Sequence, residues 1–261
     1  MFADRREGAS APWSSRIAVF LFSASVYVLF LGTFLYLIGF VAGAVVPKTV
    51  DGPGSMPESL PAALAIDAGL LLLFALQHAV MARRWFKERL ARVVPKVAER
   101  SVFVLATCVV LSLLVWQWRP LPDLVWSVSG PLAWLFEGLR ALGWLTVLVS
   151  TFLIDHFELF GLRQGVVQLL GRPYEPPTFR ERSLYRLVRH PIMVGFLLAF
   201  WAAPTMTAGH LLFAGLATAY IFVGVALEER DLVATHGDKY LDYRRRVRAF
   251  LPLPRRIDAS A

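Results

Sequence analysis

The chain of 261 residues has a single cysteine, Cys108, and only 18% of its residues are charged. One cysteine can form neither an intrachain disulfide nor a thiolate metal site, and we interpret Cys108 as a small buried hydrophobic residue. The five histidines show no close pairing typical of metal ligands, so no metal is expected. The sequence has neither a Walker loop nor a glycine-rich dinucleotide fingerprint, which argues against a soluble nucleotide-binding domain.

Apolar residues are abundant instead. They make up 57% of the chain, the mean hydropathy is +0.56 and the formal net charge is +8, a profile typical of a membrane protein. A helix needs about 20 apolar residues to cross a bilayer. Six candidate segments are predicted, at 17–46, 60–82, 101–118, 132–154, 192–203 and 208–227. The fifth segment is short, so it is tilted, re-entrant or one arm of a hairpin broken at Pro204. The predicted fold is an all-α polytopic transmembrane helical bundle with five to six segments.

Lysine and arginine alternate between rich and poor loops. There are 3 before the first segment, 1 in the next loop, 7 in 83–100, 1 at Arg119, 6 in 163–189, none in the Pro204 turn and 8 from Arg230 onward, with Arg140 inside the fourth segment. Basic loops are expected on the cytoplasmic side, so both termini and the long polar loops are predicted to face the cytoplasm. Anionic lipid headgroups account for the basic charge without a nucleic-acid partner.

Polar residues concentrate in the C-terminal part of the chain. The sequence predicts a division into 1–120, with about three nearly featureless transmembrane helices, and 121–261, which holds the functional site. In the stretch "DHFELFGLRQ" (155–164) the side chains of Asp155, His156, Glu158 and Arg163 crowd a membrane boundary. Two carboxylates are unusual there. The stretch is either an interfacial turn with local salt bridges or the lining of a pocket.

The stretch "SLYRLVRHPIMVGF" (183–196) places Arg189 and His190 at the entrance of an apolar segment. Pro191 suits the first turn of a helix, whose unpaired N–H groups would combine with these two side chains to form an anion site. Gly195, one turn later, leaves room for a ligand or another helix. A lipid phosphate could also occupy such an entrance.

The stretch "ALEERDLVATHGDKYLDYRRRV" (226–247) begins with Glu228 and Glu229 near the negative end of a helix, where carboxylates are unfavourable. A cation should compensate them. Arg230, the cluster at 186–190 and the amino group of a bound cofactor are the three candidates. After a break at Gly237, Tyr240 and Tyr243 share one helical face, which is also typical of an amphipathic interfacial helix.

These two motifs, separated by one helical hairpin, resemble the C-terminal signature of integral-membrane methyltransferases. That family includes isoprenylcysteine carboxyl methyltransferases, phospholipid N-methyltransferases and nurim-like proteins. The resemblance covers 183–252 and implies a cytoplasmic site for S-adenosylmethionine in this hairpin, without a Rossmann domain. The implied cofactor-binding residues are Tyr185, Arg189, His190, Pro191, Gly195, Glu228, Glu229 and Tyr240. Arg189 and His190 would bind the methionine carboxylate, and the glutamates would accept the ammonium or the ribose hydroxyls. Met193 stands where the family often has tyrosine.

Within that family, "DHFELFGLRQ" and the three preceding helices resemble the bacterial methanethiol S-methyltransferases of the nurim-like branch. This resemblance implies methylation of methanethiol to dimethyl sulfide in the bacterial inner membrane. His156, Asp155 or Glu158 would accept the thiol proton and Arg163 would stabilise the thiolate. Methylation of a lipid amine or a prenylcysteine carboxylate, and a non-catalytic membrane protein of the same fold, are the alternatives. The oligomeric state is not predicted.

Overall fold

The computed structural model describes residues 12–54, 59–175 and 181–252. Its helices and strands follow one another as α1 (Trp13–Ala42), α2 (Leu60–Ala82), α3 (Arg84–Leu90), α4 (Glu99–Gln117), β1 (Leu124–Ser127), α5 (Gly130–Ile154), α6 (His156–Leu159), α7 (Leu162–Leu169), α8 (Leu184–Leu187), α9 (Pro191–Trp201), β2 (Thr205–Thr207), α10 (Ala208–His236) and α11 (Asp238–Arg246). A short 3-10 turn, Lys96–Ala98, leads into α4. The predicted all-α class is confirmed, since the strands in the described part of the chain form a single two-stranded sheet.

Among the described residues, five helices are long and apolar enough to cross a membrane. They are Trp13–Ala42, Leu60–Ala82, Lys96–Gln117, Gly130–Ile154 and Ala208–His236. The short fifth segment of the prediction is α9, whose 11 residues rise only about 16 Å. The chain is therefore an integral membrane protein with five candidate spans and one short apolar helix.

The spanning helices expose apolar side chains outward. In the most apolar stretch of each spanning helix, at most 33% of the residues are buried inside the protein. Leu35, Leu72 and Trp116 are each more than half exposed. A surface of this kind is stable in lipid but not in water.

Two helix ends differ from the prediction. The helix α1 ends at Ala42 rather than near Val46, because Gly43 takes a left-handed conformation with φ +71°. The helix α10 continues to His236 rather than ending at Leu227, with Glu229 paired to Arg189, and it ends where Gly237 takes φ +56°.

The chain divides into two compact units. The first comprises Met1–Leu121 and Asp155–Thr178, and the second comprises Pro122–Ile154 and Phe179–Ala261. The functional division at residue 120 stays a prediction, because compactness does not test where catalysis occurs.

In the first unit, α1 packs against α4 and α7, and α2 packs against α4. Arg16 of α1 donates to the carbonyls of Gln168 (3.0 Å) and Leu169 (2.5 Å) at the end of α7, where a cation is favourable. Asp67 of α2 is fully buried and accepts a hydrogen bond of 2.8 Å from the backbone N–H of Arg119, as expected of an ionisable group that faces the protein interior.

In the second unit, α5 packs along α9, and α10 contacts both α9 and α11. The strand β2, which joins α9 to α10, pairs antiparallel with β1, and the indole of Trp126 donates to the carbonyl of Ala203 at 3.1 Å. The sheet thus holds one end of the hairpin, and the predicted cofactor-binding residues Arg189 and Glu229 pair toward the other.

Candidate cofactor and substrate sites

The turn before α9 has the conformation that the sequence predicts. Pro191 is the first helical residue and His190 is the N-cap. Both side chains are buried, as is that of Arg189. Since charged and polar groups are costly to bury without partners, the partners of Arg189 and His190 determine what this turn can bind.

Arg189 pairs with Glu229 of α10. Its Nε and Nη2 atoms donate to one carboxylate oxygen of Glu229 at 2.7 Å and 2.5 Å, and the two side chains are only 4% and 10% exposed. Among the three candidate cations, the 186–190 cluster therefore compensates Glu229.

The two glutamates differ in exposure. The Nε2 atom of His190 lies 3.1 Å from Glu229, and its Nδ1 atom lies 3.6 Å from Glu228. The Glu228 side chain is 51% exposed, whereas that of Glu229 is almost buried. Arg244 of α11 contributes a further cation, with its Nε atom 3.4 Å from Glu229.

The tyrosines of α11 pack beneath this ion pair. The rings of Tyr240 and Tyr243 are buried and their centroids lie 5.8 Å apart, as predicted for neighbours on one helical face. Burial and the negative charge of Glu229 raise the pKa of Tyr240 to about 12, against the opposing charge of Arg189. The hydroxyl of Tyr243 donates to the carbonyl of Tyr185 at 2.6 Å, which ties α11 to α8.

The segment after α11 pairs with the turn before α9, which the residue-level predictions missed. The N–H groups of Arg189 and His190 donate to the carbonyls of Arg248 (2.8 Å) and Ala249 (3.1 Å), and the Nη1 atom of Arg189 donates to the carbonyl of Val247. The sequence signal was the apolar "AFL" that follows the basic run. This "AFL" segment belongs to the motif that carries the family resemblance. The turn with which it pairs lies about 60 residues earlier in the chain.

A cavity of about 380 Å³ lies beside this cluster within the second unit. Its charged lining includes Arg189, Glu229, Arg230 and Arg244, and its aromatic lining includes Phe222 and Phe250. The rings of Phe222 and Phe250 stand nearly edge to face, with centroids 5.1 Å apart. The size and the mixture of apolar and charged walls are typical of a small-molecule site.

Of the predicted cofactor-binding residues, Arg189 and Glu229 line this cavity. The structure brings Arg189, His190, Glu228, Glu229 and Tyr240 together around one ion pair. Tyr185 instead directs its hydroxyl to the carbonyl of Ser150 in α5, at 3.4 Å. Gly195 also lies against α5, and a Cβ added there would be 2.7 Å from the carbonyl oxygen of Gly143. Pro191 is fully buried as the first residue of α9.

The predicted substrate residues lie in the first unit, at the short helix α6. Asp155 caps this helix by accepting from the N–H of Glu158 at 3.2 Å, and it has an unusual φ of +155°. Arg163 of α7 bridges the carboxylates, with its Nη1 atom 3.0 Å from Asp155 and 3.6 Å from Glu158. Backbone outliers of this kind are often found at functional sites.

Glu158 is the most buried of these charged groups, and several polar side chains contact its carboxylate. Gln164 donates to its carboxylate at 2.9 Å, and so does the hydroxyl of Tyr174. Burial raises the pKa of the Glu158 carboxyl, whereas the Tyr174 hydrogen bond and the charge of Arg163 lower it. Tyr174 was not among the predicted residues, because a lone tyrosine in a proline-containing loop carries no recognisable sequence signal.

His156 has an aromatic environment. Its ring is buried, stands edge-on to Phe157 and Phe160, and its Nε2 atom lies 2.9 Å from the hydroxyl of Tyr27. Burial lowers the pKa of the His156 imidazole, an effect that the charge of Asp155 opposes. Among the described residues no cluster of three or more histidine, cysteine, aspartate or glutamate side chains could hold a metal ion.

Comparison with known protein families gives one family match. The model of the family described as "NnrU protein" matches residues 68–241. The chain belongs to the NnrU family. The matched range contains every predicted site residue, from Asp155 to Tyr240.

The NnrU match is accompanied by similarity to named proteins over two thirds or more of this chain. Methanethiol S-methyltransferase 2 of Bradyrhizobium diazoefficiens is 51% identical over 238 residues, which are 91% of each chain. Methanethiol S-methyltransferase of Mycobacterium tuberculosis is 51% identical over 242 residues, 92% of this chain and 98% of its own. Nurim of Bos taurus is 32% identical over 190 residues, 67% of this chain and 70% of its own. No solved structure matches the chain.

Proposed function

We propose that this NnrU-family membrane protein is a methyltransferase that converts methanethiol to dimethyl sulfide, with S-adenosylmethionine as the methyl donor. The observation that carries the proposal is the identity of about 50% to proteins named methanethiol S-methyltransferase, across more than 90% of this chain. Similarity of that extent covers both units, whereas a shared fold alone would say nothing of the substrate.

The second unit supports a site for S-adenosylmethionine. The cavity beside the hairpin offers arginines for a carboxylate, a glutamate for an ammonium or hydroxyl group, and two phenylalanine rings for a flat base. When bound, S-adenosylmethionine supplies a methyl group on a positively charged sulfur. The role of the hairpin is to hold and orient that donor, since alignment of reactants provides a large part of the rate.

In the first unit we assign the proton acceptor to Glu158. Thiolates rather than thiols attack, so a base near the substrate raises the rate. Burial raises the pKa of Glu158, which makes it a stronger base than an ordinary glutamate, and its carboxylate lies 3.6 Å from the cationic Arg163. The Nε2 atom of His156 is instead 2.9 Å from the hydroxyl of Tyr27. The proton moves from the thiol sulfur to a carboxylate oxygen of Glu158.

The neighbours of Glu158 take supporting roles. Arg163, held by Asp155 at 3.0 Å, supplies positive charge for the developing thiolate. Tyr174 and Gln164 fix the carboxylate through their hydrogen bonds. His156 fixes α6 through its contacts with Tyr27 and the surrounding phenylalanines.

We also propose that the protein lies in the bacterial inner membrane with both termini and both sites toward the cytoplasm. The alternation of basic loops supports this orientation. Lipids surround its apolar surface, and methanethiol is its small-molecule substrate.

The experiment that tests the function is headspace gas chromatography on the purified protein in detergent, supplied with S-adenosylmethionine and methanethiol. Dimethyl sulfide should accumulate with the wild type and not with the Glu228→Ala or Glu229→Ala variants. Binding of S-adenosylmethionine is measured in parallel. Binding without product would overturn the thiol substrate and direct attention to lipid amines and prenylcysteine carboxylates. The absence of binding would favour a non-catalytic protein.

A further inference from the structure

We infer that Arg244, with Arg230 beside it, binds the carboxylate of S-adenosylmethionine, and that Arg189 holds Glu229 instead of touching the ligand. This inference rests on the proposed function and deepens it. It assigns the carboxylate of the ligand to side chains of α10 and α11 rather than to the turn before α9.

The hydrogen bonds of Arg189 leave it little capacity for a ligand. A guanidinium has five N–H donors. Two of the Arg189 donors go to Glu229, and Nη1 is directed to the carbonyls of Val247 and Arg244. Because its side chain is only 4% exposed, an incoming carboxylate would have to displace Glu229.

Arg244 is placed differently. Its side chain is 49% exposed and lines the cavity, and its Nε atom lies 3.4 Å from Glu229. Arg230 follows Glu229 in α10 and also lines the cavity. An exposed guanidinium at a cavity wall can present two parallel N–H groups to a carboxylate, the geometry that makes arginine selective for such anions.

The charge of the lining also favours an anion. Three arginines and one glutamate contribute to the wall, and Glu229 is already neutralised by Arg189. The remaining charge is positive and comes from Arg230 and Arg244. The lining also includes Phe222 and Phe250, which offer an apolar aromatic surface. A ligand with a carboxylate at one end and a flat base at the other suits this combination of lining residues.

The test compares two ligands that differ only in the carboxylate, S-adenosylmethionine and decarboxylated S-adenosylmethionine. Their dissociation constants are measured by calorimetry on the full-length protein in detergent. The wild type should prefer the carboxylate form by roughly tenfold. The Arg244→Ala variant should lose most of that preference through weaker binding of S-adenosylmethionine, with the decarboxylated ligand nearly unaffected. Arg244→Lys should retain part of it.

The matched control is Arg245→Ala, which removes a neighbouring arginine that is 75% exposed and paired with Asp242. It should leave both constants unchanged. If Arg244→Ala misfolds, Arg230→Ala provides the same comparison. A full carboxylate preference in the Arg244 and Arg230 variants would overturn the assignment while leaving cofactor binding intact. If the wild type binds neither ligand, the proposed function itself fails. Displacement of S-adenosylmethionine by phosphatidylglycerol that depends on Arg244 would overturn the assignment in favour of a lipid phosphate.

Discussion

Arg189 and Glu229 form a buried ion pair across the α9–α10 hairpin, with two guanidinium nitrogens on one carboxylate oxygen at 2.7 Å and 2.5 Å. The pair is 40 residues apart in sequence, and Arg189 also binds the segment after α11 through its backbone N–H and Nη1. One arginine therefore joins the turn before α9, the end of α10 and the C-terminal segment.

Removal of the Glu229 charge should destabilise the protein strongly. In a Glu229→Gln variant Arg189 keeps its charge inside a protein interior without a matching carboxylate. Loss of one partner from a buried pair costs about 3 kcal/mol or more in the free energy of unfolding. Thermal unfolding in detergent measures the effect, and S-adenosylmethionine binding should fall with it.

Glu228→Gln is the matched control for that experiment, because the adjacent side chain is 51% exposed. Its melting temperature should stay close to that of the wild type. Equal destabilisation of the two variants would show that the ion pair with Arg189 has no special role.

Glu158→Gln should abolish most of the catalytic rate while leaving S-adenosylmethionine binding intact. General base catalysis contributes about 10²-fold or more, so kcat for dimethyl sulfide formation should decrease by at least that factor. Glu88→Gln, a change at a 62% exposed glutamate of the same unit, is the control and should be fully active. A Glu158→Gln variant with near-normal kcat would exclude Glu158 as the base.

The pH dependence of kcat/KM should follow the ionisation of Glu158. Only ionised Glu158 accepts a proton, so activity should rise with pH as the carboxyl loses its proton. Since burial raises the pKa of Glu158, this rise should occur above the ordinary glutamate range. Tyr174→Phe removes a hydrogen bond that favours the ionised form, and the rise should therefore move to higher pH, with little change in the rate at alkaline pH. An unchanged profile in Tyr174→Phe would contradict the assignment.

Local chemistry made part of the hairpin predictable. Proline at the first helical position predicted the start of α9, and glycine predicted the break before α11. The electrostatic cost of Glu229 near a helix end predicted a cationic partner, but three candidates satisfied that argument. Only the fold selects Arg189, because the choice depends on how α9 and α10 return alongside each other.

Other features depend on residues that are distant in sequence. The segment after α11 pairs with the turn before α9 through backbone N–H and carbonyl groups. All residue types have these groups, so the residue types do not reveal the pairing. The approach of Tyr174 to Glu158 depends on the course of a loop. The sequence predicted that Arg189 is a costly cation in need of a partner, but not that four of its five N–H donors are directed to Glu229, Val247 and Arg244.

Gly195 should be required for helix packing. A Cβ added there would lie 2.7 Å from the carbonyl oxygen of Gly143 and 2.8 Å from the backbone nitrogen of Val147, closer than real contacts allow. Gly195→Ala should therefore separate α9 from α5 and reduce the free energy of unfolding by about 1–3 kcal/mol, measured as a lower melting temperature in detergent. Gly215→Ala in α10 is the matched control, since an added Cβ there meets nothing within 4 Å, and its stability should stay equal or rise slightly. If Gly195→Ala kept wild-type stability but lost S-adenosylmethionine binding, the glycine would serve the ligand, as the family resemblance implies, rather than the contact with α5.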